Sequence, residues 1–358
     1  MRKDTDAERT YRVLGVMSGT SMDGIDLAVC NFQEATGIWH HEVILGRTVP
    51  FSDALERELE AAMNGSAIAL ARLHVALGRA IGTACADVLR EQPAELIASH
   101  GHTVFHRPEE GLTYQVGSGA HIAAAAGVPV VCDFRTLDMA HGGQGAPLVP
   151  LGEKALFPEY RSFLNLGGIA NLSVHHPASV VGFDVCPCNQ LLDGLAREQG
   201  KRYDLDGQMA LAGRVNDQLL DRLNALPFYA QSPPRSLGRE WYWEVMRPLM
   251  GIPGVSLNDR MATAVAHIAE QVLLSARNTG ANKILVTGGG AHNTALMDKM
   301  RSDLTVRMHV PSKELVDMKE AVIFAFLGLM RFLGRTNTLA SVTGASEDTS
   351  GGAIYLPY

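Results

Sequence analysis

Residues 12–30, RVLGVMSGTSMDGIDLAVC, decide the fold predicted for this chain. An apolar run over residues 13–17 leads into a polar segment of glycines and hydroxyl residues, and a second apolar run starts at Ile25. Two short apolar runs joined in this way are typical of a β-hairpin. We therefore expect two paired strands with an unusually polar turn between them.

The turn of this hairpin has the composition of a loop that binds phosphate. Gly19 and Gly24 permit backbone angles that a side chain would forbid, so the amide groups between them can converge on one point. Asp23 and Asp26 add carboxylates that could hold a hydrated magnesium ion beside a phosphate. An ordinary hairpin turn rich in glycine and serine is the alternative.

The composition is that of a globular protein able to bury a full core. The chain has 358 residues, of which 46% are hydrophobic and 19% charged, and this length suits one large or two medium domains. A net charge of −7 without a concentrated basic run argues against nucleic-acid binding. The charged N-terminus is unlike a signal peptide, no long uncharged apolar segment could span a membrane, and the five cysteines form no evident disulfide framework. We expect a reduced, cytoplasmic protein.

The remaining segments alternate between predicted strands and predicted helices. Strands are expected over residues 96–98, 113–116, 128–133, 180–184, 283–287 and 353–356, and a second hairpin over 163–174. The loop that follows the strand 96–98 is expected to carry residues 99–103. Helices are expected from Asn189 and over residues 52–64, 67–90, 120–126, 208–224, 240–249, 262–278 and 320–333.

Two further glycine-rich turns repeat the character of the first. Gly167 and Gly168 separate the apolar runs of the second hairpin, and three glycines at residues 288–290 separate a predicted strand from a predicted helix. Such turns let the backbone approach a nucleotide closely, and the helix dipole favours an anion. Two hairpins, one in each half, together with the third turn predict two similar α/β domains with a nucleotide between them. Neither GxxxxGK[ST] nor a GxGxxG after the first strand occurs, which argues against a P-loop and the usual dinucleotide-binding fold.

Three side chains are candidates for the chemistry. Asp184 ends a predicted apolar strand directly before a turn, where a general base can emerge into a cleft, although hydrogen bonding to nearby amides is the alternative. Arg135 and Glu320 could fix a polar, acidic or amide-bearing substrate, since arginine offers two parallel donors to a carboxylate. Surface salt bridges are the simpler interpretation of both before other information.

A histidine cluster and a cysteine pair were weighed as metal sites. His100, His102 and His106 include the His-x-His pattern found in some hydrolase metal centres. Because no second compact group of His, Asp or Glu follows, we favour polar histidines that line a substrate cleft. Cys186 and Cys188 flank a proline, so their side chains are expected to diverge, and neither a metal nor a redox role is assigned to them.

The chain resembles the anhydro-N-acetylmuramic acid kinases from about residue 11 to residue 358. The matching segments, in chain order, are GVMSGTSMDGID, SHGHTVFHRP, DFRTLDMAHGGQGAPLVP, NLGGIANLS, GFDVCPCNQLLDG, PPRSLGRE, VTGGGAHN and VTGA. The motifs GTSxDGxD and DFRxxDxAxGGQGAPLxP are specific to that family. Its members belong to the superfamily of sugar kinases, actin and heat-shock ATPases, whose two domains close over ATP.

The resemblance implies both a fold and a reaction. The expected fold class is α/β, with two actin-like (ribonuclease H-like) domains flanking a nucleotide and sugar cleft: residues 1–138, completed by part of 335–358, and residues 139–334. Such enzymes use ATP and water to open the 1,6-anhydro ring of anhydro-N-acetylmuramic acid. The products are the 6-phosphate sugar and ADP, formed in cell-wall recycling. A homodimer is compatible with the superfamily, and no membrane or nucleic-acid partner is expected.

Residue roles follow from the same resemblance. Asp184 matches the base that deprotonates the water attacking the anomeric carbon, and Asp23 and Asp26 are expected near Mg²⁺. The ATP-binding residues implied are Gly19, Thr20, Ser21, Met22, Asp23, Gly24, Ile25, Asp26, Gly167, Gly168, Gly288, Gly289 and Gly290. Those implied for the sugar are Arg135, Glu320 and His100.

The departures from the family pattern leave two rivals open. Cys186 and Cys188 stand where the family reads GFDxGPGN, and a cysteine at a position of positive φ would strain the turn by about 1 kcal/mol and displace Asp184. His102 stands where Gln is common, and PPRSLGRE replaces PPKSTGRE. The first rival is a catalytically impaired nucleotide-binding relative. The second is a metal hydrolase built on His100 and His102.

Overall fold

The computed structural model describes residues 9–18, 24–176, 179–233, 235–238 and 241–358. The strands in this part of the chain are β1 (Thr10–Met17), β2 (Ile25–Ala35), β3 (Ile38–Val49), β4 (Leu96–Ser99), β5 (His102–Arg107), β6 (Leu112–Val116), β7 (Val130–Cys132), β8 (Ser162–Leu166), β9 (Ile169–His175), β10 (Val180–Pro187), β11 (Lys283–Thr287), β12 (Arg307–His309) and β13 (Ala353–Tyr355).

The helices lie between these strands. The α-helices described are Asp53–Ala61, Ala67–Glu91, Gly119–Ala126, Thr136–Ala140, Val149–Leu156, Asn189–Ala196, Gln208–Leu211, Asp217–Asn224, Arg247–Met250, Leu257–Thr279, Thr294–Arg301, Lys313–Phe332 and Ala340–Thr343. A π-helical turn covers Tyr242–Met246, and short 3₁₀ turns cover Ala62–Asn64, Pro108–Glu110, Arg197–Gln199, Leu205–Gly207, Pro227–Ala230 and Gly289–His292.

The chain divides into two compact units. Unit 1 comprises Met1–Pro158 and Met318–Tyr358, and unit 2 comprises Glu159–Asp317. This division differs from the boundaries expected from the sequence, 138/139 and 334/335. The glycine-rich stretch 141–146, just after the expected boundary, stays with unit 1, where the Gln144 amide donates to the Thr343 carbonyl (2.9 Å). The helix Lys313–Phe332 also enters this core, where Phe326 packs on Phe32 with ring centroids 5.6 Å apart.

The sheet of unit 1 is built around the first hairpin. Its strand order is β13-β7-β4-β1-β2-β3. β1, β4 and β7 are parallel to one another, whereas β2 is antiparallel to both β1 and β3. The pairing of Met17 with Asp26 confirms the predicted hairpin up to the edges of its turn. β13 adds to the edge as the predicted C-terminal strand, antiparallel to β7.

Unit 2 repeats this arrangement with the second hairpin. Its strand order is β10-β9-β8-β11-β12, with β9 antiparallel to both β8 and β10, and β8, β11 and β12 parallel. In each unit, therefore, an antiparallel three-stranded meander is followed by parallel strands added beside its first strand. This topology confirms the predicted fold class, an α/β protein with two actin-like (ribonuclease H-like) units.

Long helices complete each core. The helix Leu257–Thr279 buries most of its length in unit 2. In unit 1 the helix Ala67–Glu91 is, among the described residues, the one helix long and apolar enough to cross a membrane by length and composition. Leu77, Ile81 and Cys85 on its inner face belong to the core of unit 1, so it is a core helix there.

Several predicted boundaries were wrong for local reasons. The single helix expected over 208–224 is two, and Gly213, which lies between them, packs against the backbone carbonyl of Asn258, where a side chain would clash. The loop expected over 99–103 ends at His102, where β5 begins. The strand expected to end at Asp184 continues to Pro187, with a register shift between Asp184 and Cys186.

Candidate active site

The turn of the first hairpin is described only at its C-terminal side. Gly19, Thr20, Ser21, Met22 and Asp23 lie outside the described residues. Three predicted phosphate-loop residues follow them: Gly24, Ile25 and Asp26. A Cβ atom at Gly24 would lie 2.5 Å from the Val49 carbonyl oxygen, so only glycine fits beside β3 there. Asp26 Oδ1 accepts a hydrogen bond from Thr48 Oγ1 (2.6 Å), which orients the carboxylate at the start of β2.

His100 and Arg135 form a contact directly after β4. His100 is buried, its Nδ1 lies 2.9 Å from the Gly101 carbonyl oxygen, and its Nε2 faces Arg135 Nε (3.0 Å) and Nη2 (2.9 Å). These partners assign the proton to Nδ1 and leave Nε2 as the acceptor, because a guanidinium can only donate. Burial, with the charge of Arg135, holds the pKa of His100 well below its ordinary value. The imidazole is therefore neutral at physiological pH.

Arg135 and Glu320 belong to one group of charges in unit 1. Burial lowers the pKa of Arg135 to about 10, opposed by the charge of Glu320. Burial raises the pKa of Glu320, opposed by Lys319 and Arg135. Beside them, buried Lys319 donates to Glu153 Oε1 (2.8 Å). We call Arg135, Glu153, Lys319 and Glu320 the charge cluster. Glu153 and Lys319 are buried and Arg135 and Glu320 are half-buried, so the geometry favours a partly buried charge network over an exposed surface salt bridge.

Sequence reasoning missed Asp138 as a residue of this site. It is fully buried, with Oδ2 accepting from the Gly145 amide (2.8 Å) and Oδ1 from Thr343 Oγ1 (2.6 Å). The Gly145 carbonyl in turn accepts from Arg135 Nη1 (2.7 Å). Asp138 thereby fixes the glycine-rich loop on which the guanidinium rests. The signal was present, because an aspartate three residues after Arg135 in a buried segment needs partners.

The three histidines of the rival metal site have different partners. His102 Nδ1 lies 3.1 Å from Ser18 Oγ, and His106 Nδ1 lies 3.2 Å from Thr113 Oγ1, while His100 faces Arg135. Within the described ranges, no three His, Cys, Asp or Glu side chains are grouped so as to hold a metal ion. The geometry therefore gives the metal-hydrolase hypothesis no support.

The carboxylate of Asp184, the predicted base, accepts hydrogen bonds from the segment 235–238 of unit 2. Its carboxylate Oδ2 accepts from the Leu237 amide (2.8 Å) and from Ser236 Oγ (3.2 Å). Among the described residues, both side-chain hydrogen bonds of Asp184 fall on this oxygen. Burial raises the pKa of Asp184, and the two hydrogen bonds and the charge of Arg235 oppose the rise. A carboxylate oriented through one oxygen, with a raised pKa, has the character of a general base.

The cysteines beside Asp184 do not strain the turn in the expected way. The positive-φ residues other than glycine in the described part of the chain are Thr36, Asp133 and Asp206. Cys188 has a φ of −118°, and Cys186 lies within β10. Both thiols are buried in the core of unit 2, and burial raises the pKa of Cys188 to about 12. They are protonated apolar side chains here.

The glycine-rich turns of unit 2 lie side by side. The carbonyls of Gly167 and Gly168 accept from the amides of Asn189 (3.0 Å) and Cys188 (2.8 Å), which joins the hairpin to the helix after β10. A Cβ atom at Gly168 would have no neighbour within 4 Å. Gly288 has a φ of 85°, and a Cβ there would clash with the end of β8. Gly289 and Gly290 form the following 3₁₀ turn.

The predicted site residues that the structure describes thus fall into four groups, and the first is Gly24, Ile25 and Asp26 around the start of β2. His100, Arg135 and Glu320 come together in unit 1, whereas in unit 2 Asp184 is bound by residues 236–237, and Gly288–Gly290 follow β11 beside the second hairpin. Two sheets of this topology, with glycine-rich turns and a held carboxylate, define the class of two-domain carbohydrate kinases and related ATPases.

The family within this class is identified by comparison. The family model described as "Anhydro-N-acetylmuramic acid kinase" matches residues 11–357. The chain therefore belongs to the anhydro-N-acetylmuramic acid kinase family. It is a carbohydrate kinase that uses ATP and acts on a small sugar substrate.

Similar solved structures are much more distant. Component A of the (R)-2-hydroxyglutaryl-CoA dehydratase of Acidaminococcus fermentans is 15% identical, with 89% of this chain and 97% of that chain covered and a TM-score of 0.45. A ROK family glucokinase from Streptomyces griseus, in complex with glucose and AMPPNP, is 14% identical, with 89% and 99% covered and a TM-score of 0.44. Similarity at this level assigns no ligand or residue role to this chain.

Proposed function

We propose that this chain catalyses the ATP-dependent hydrolytic opening of 1,6-anhydro-N-acetylmuramic acid. Water adds to the anomeric carbon and gives up a proton, the bond from that carbon to O6 breaks, and O6 takes the γ-phosphoryl group from ATP. The products are N-acetylmuramic acid 6-phosphate, ADP and one proton. The family membership supports the substrate class. The role in cell-wall recycling, in the cytoplasm, belongs to the same proposal.

The observation that carries the mechanism is the held carboxylate of Asp184. The Leu237 amide and Ser236 Oγ orient it through Oδ2, which leaves Oδ1 to accept a proton from the attacking water. Burial raises its pKa, which increases its strength as a base toward water. Because only the ionised carboxylate is a base, we expect the rate to fall as pH falls through this raised pKa.

The glycine turns of unit 2 fit a nucleotide by their shape. Among the described residues no atom lies within 4 Å of a Cβ built at Gly168, whereas Gly288 lets the end of β11 pack closely against the end of β8. We therefore assign ATP contacts to Gly167, Gly168, Gly288, Gly289 and Gly290. The amides of Cys188 and Asn189 donate to hairpin carbonyls and are not assigned to phosphate.

The first hairpin is the proposed site of the nucleotide phosphates and of Mg²⁺. The residues assigned to phosphate are Gly19, Thr20, Ser21, Met22, Asp23, Gly24, Ile25 and Asp26. Asp23 and Asp26 would hold the ion, directly or through water, since carboxylates are the hard oxygen donors that magnesium prefers. The oriented carboxylate of Asp26 fits this role. When bound, the ion would neutralise charge on the phosphates.

The charge cluster of unit 1 is the proposed sugar site. N-acetylmuramic acid carries a carboxylate and an amide, and Arg135 presents a guanidinium already fixed by His100 and the Gly145 carbonyl. Preorganised donors lose little entropy when a carboxylate binds. His100 is assigned to the same sugar by its contact with Arg135, and Glu320 by its charge interaction with Arg135. A homodimer remains part of the proposal, without an assigned interface.

The test is ADP release with magnesium and ATP, with and without the anhydro sugar. We expect sugar-dependent ADP formation, reduced about 10³-fold in Asp184→Asn, while Asp298→Asn, an exposed aspartate of the same unit, keeps the wild-type rate. Equal rates in wild type and Asp184→Asn would contradict the assigned base. ATP binding without sugar-dependent turnover in the wild type would instead identify the impaired relative.

A further inference from the structure

Asp184 lies on an edge strand of its sheet, next to an irregularity in the strand pairing. β10 is an edge strand of the sheet in unit 2, and within the described residues no strand pairs with its outer side. The ladder to β9 shifts register between Asp184 and Cys186. A bulge at an edge leaves the local backbone free to twist. The pairing with β9 alone therefore does not fix the direction of the Asp184 side chain.

Arg235 takes the place of the missing strand at this point. Its carbonyl accepts from the Asp184 amide (2.9 Å), and its Nε donates to the Asp184 carbonyl (3.1 Å). One residue thus satisfies both backbone groups of Asp184 on the open edge. The two residues that follow, Ser236 and Leu237, bind the carboxylate of the same aspartate.

The guanidinium is itself held by a turn on its other side. Nη1 donates to the carbonyls of Gln231 (3.0 Å) and Tyr229 (3.3 Å), at the end of the 3₁₀ turn Pro227–Ala230. The guanidinium carbon lies 4.9 Å from the ring centroid of Phe228 and 5.6 Å from that of Phe183. A fork of donors stacked on aromatic rings is specific to arginine, because a lysine offers a single point of charge.

We propose that Arg235 is a positioning residue for Asp184. Arg235 clamps the bulged edge of β10 to the turn Pro227–Ala230. This inference rests on the proposed function, in which Asp184 is the base. It assigns Arg235 no contact with substrate. Its effect is on the direction of the carboxylate, and small displacements of a reacting group are costly in catalysis.

The charge of Arg235 should affect the pH dependence of kcat, which a purely structural role of this residue would leave unchanged. The titratable groups that influence Asp184 or Arg235 in the described chain are these two residues themselves, the Cys186 thiol and the Tyr229 phenol. Arg235 is the cation among them, and it favours the ionised form of Asp184. Removing the charge of Arg235 should move the acid limb of the pH profile of kcat toward higher pH.

The experiment compares Arg235→Lys, Arg235→Met and a matched control, Arg247→Met, an exposed arginine that stacks on Trp243 in the same unit. We expect kcat to fall about 10²-fold in Arg235→Met and about tenfold in Arg235→Lys, with the KM for ATP within twofold of wild type. The acid limb should move up by about half a pH unit in Arg235→Met and stay in place in Arg235→Lys.

A double variant separates this proposal from simple loss of structure. In an Asp184→Asn background, Arg235→Met should not lower the residual rate further, because the clamp acts through Asp184. Equal losses in both backgrounds, or an unchanged kcat in Arg235→Met, would overturn the inference. If Arg235→Met does not fold, the same comparison with Arg235→Lys decides, and a wild-type kcat there overturns it.

Failure of the proposed function gives a different result. In that case the wild type lacks sugar-dependent turnover, or Asp184→Asn retains it. An active wild type and an inactive Asp184→Asn, together with an Arg235→Met variant of normal rate and pH profile, would instead contradict the clamp alone.

Discussion

β4 of unit 1 and β11 of unit 2 occupy the same place in the same strand order, beside the first strand of each meander, yet they end differently. Each finishes with a buried hydroxyl residue, Ser99 or Thr287. After Ser99 comes His100, whose imidazole faces Arg135. After Thr287 comes Gly288, which has a positive φ and no side chain. One backbone topology thus presents side chains in one unit and bare backbone in the other.

This difference shows how a repeated fold acquires two kinds of surface. Side chains and buried charges discriminate by hydrogen bonds to particular groups of a ligand, as a sugar with a carboxylate requires. Bare backbone allows close approach and suits a phosphate or nucleotide. In our proposal the sugar contacts His100, Arg135 and Glu320 of unit 1, and ATP contacts the turns of unit 2 as well as the first hairpin of unit 1. Stability near the end of β4 should therefore depend on buried charged side chains, and stability at the end of β11 on the absence of a side chain.

The largest effect is expected from breaking the charge cluster of unit 1. Lys319→Met leaves Glu153 buried without its ammonium partner, which should reduce the free energy of unfolding by about 3–5 kcal/mol. Chemical denaturation measures the loss. Lys313→Met, which breaks an exposed pair with Asp317 on the same helix, should cost less than about 1 kcal/mol.

The double variant Glu153→Leu, Lys319→Met tests the cause of this loss. Removing both charges should recover most of the stability, because no charge is then buried alone. If Lys319→Met is no more destabilising than Lys313→Met, the loss of the Lys319 ammonium does not leave Glu153 as an uncompensated buried charge.

The second expected effect is on the glycine surface of unit 2. Gly288→Ala forces a side chain into a positive-φ position and against the end of β8, so it should destabilise the protein by about 2 kcal/mol. Gly168→Ala, where a Cβ meets no atom within 4 Å, should change stability by less than about 0.5 kcal/mol. Thermal unfolding distinguishes the two, and equal melting temperatures would refute the steric argument.

The smallest expected effect is the contribution of buried histidines in the two units to the pH dependence of stability. His267 of unit 2 donates or accepts at Asn224 (2.7 Å) and Tyr229 (2.8 Å), and burial lowers its pKa to about 3. A histidine with a lowered pKa in the folded state stabilises the protein above its unfolded pKa, near 6.5, and that stability is lost as pH falls toward 3. The sign is the same for His100, whose pKa is also lowered.

We expect His267 to account for about 1.4 kcal/mol of stability lost between pH 7.5 and pH 5.5. His267→Gln should therefore flatten the pH dependence of the free energy of unfolding by that amount, whereas replacing exposed His40 with glutamine should not. Denaturation at the two pH values measures the difference. Identical slopes in wild type and His267→Gln would show that the imidazole is not held neutral.

Local signals predicted most of the elements because they rest on short-range patterns. Ser52 caps the helix Asp53–Ala61 by accepting from the Leu55 amide, and Gly127 ends the helix Gly119–Ala126 with a positive φ, both at ends of helices that the sequence predicts. The second hairpin and the helix from Asn189 also agree with the prediction. Caps, breakers and apolar periodicity act within a few residues, so the sequence alone displays them.

Contacts between distant segments accounted for the errors. The predicted helix over 208–224 is interrupted around Gly213, which packs on the backbone of Asn258, a contact that no local pattern reveals. Arg235 and Leu237 looked like departures from a family motif, yet in the structure they flank and bind Asp184, 51 and 53 residues earlier in the chain. Asp138 was passed over because its partner Thr343 lies 205 residues away.

The sequence by itself determined the two hairpins, the α/β class, the family and the identity of Asp184, Arg135, His100 and Glu320 as candidates. These follow from the order of apolar, glycine and charged residues along the chain. Only the tertiary structure decided where the units divide, that both cysteines beside Asp184 avoid positive φ, and which groups hold each candidate side chain. Burial and hydrogen bonding set those properties, and both depend on segments that meet only when the chain is folded.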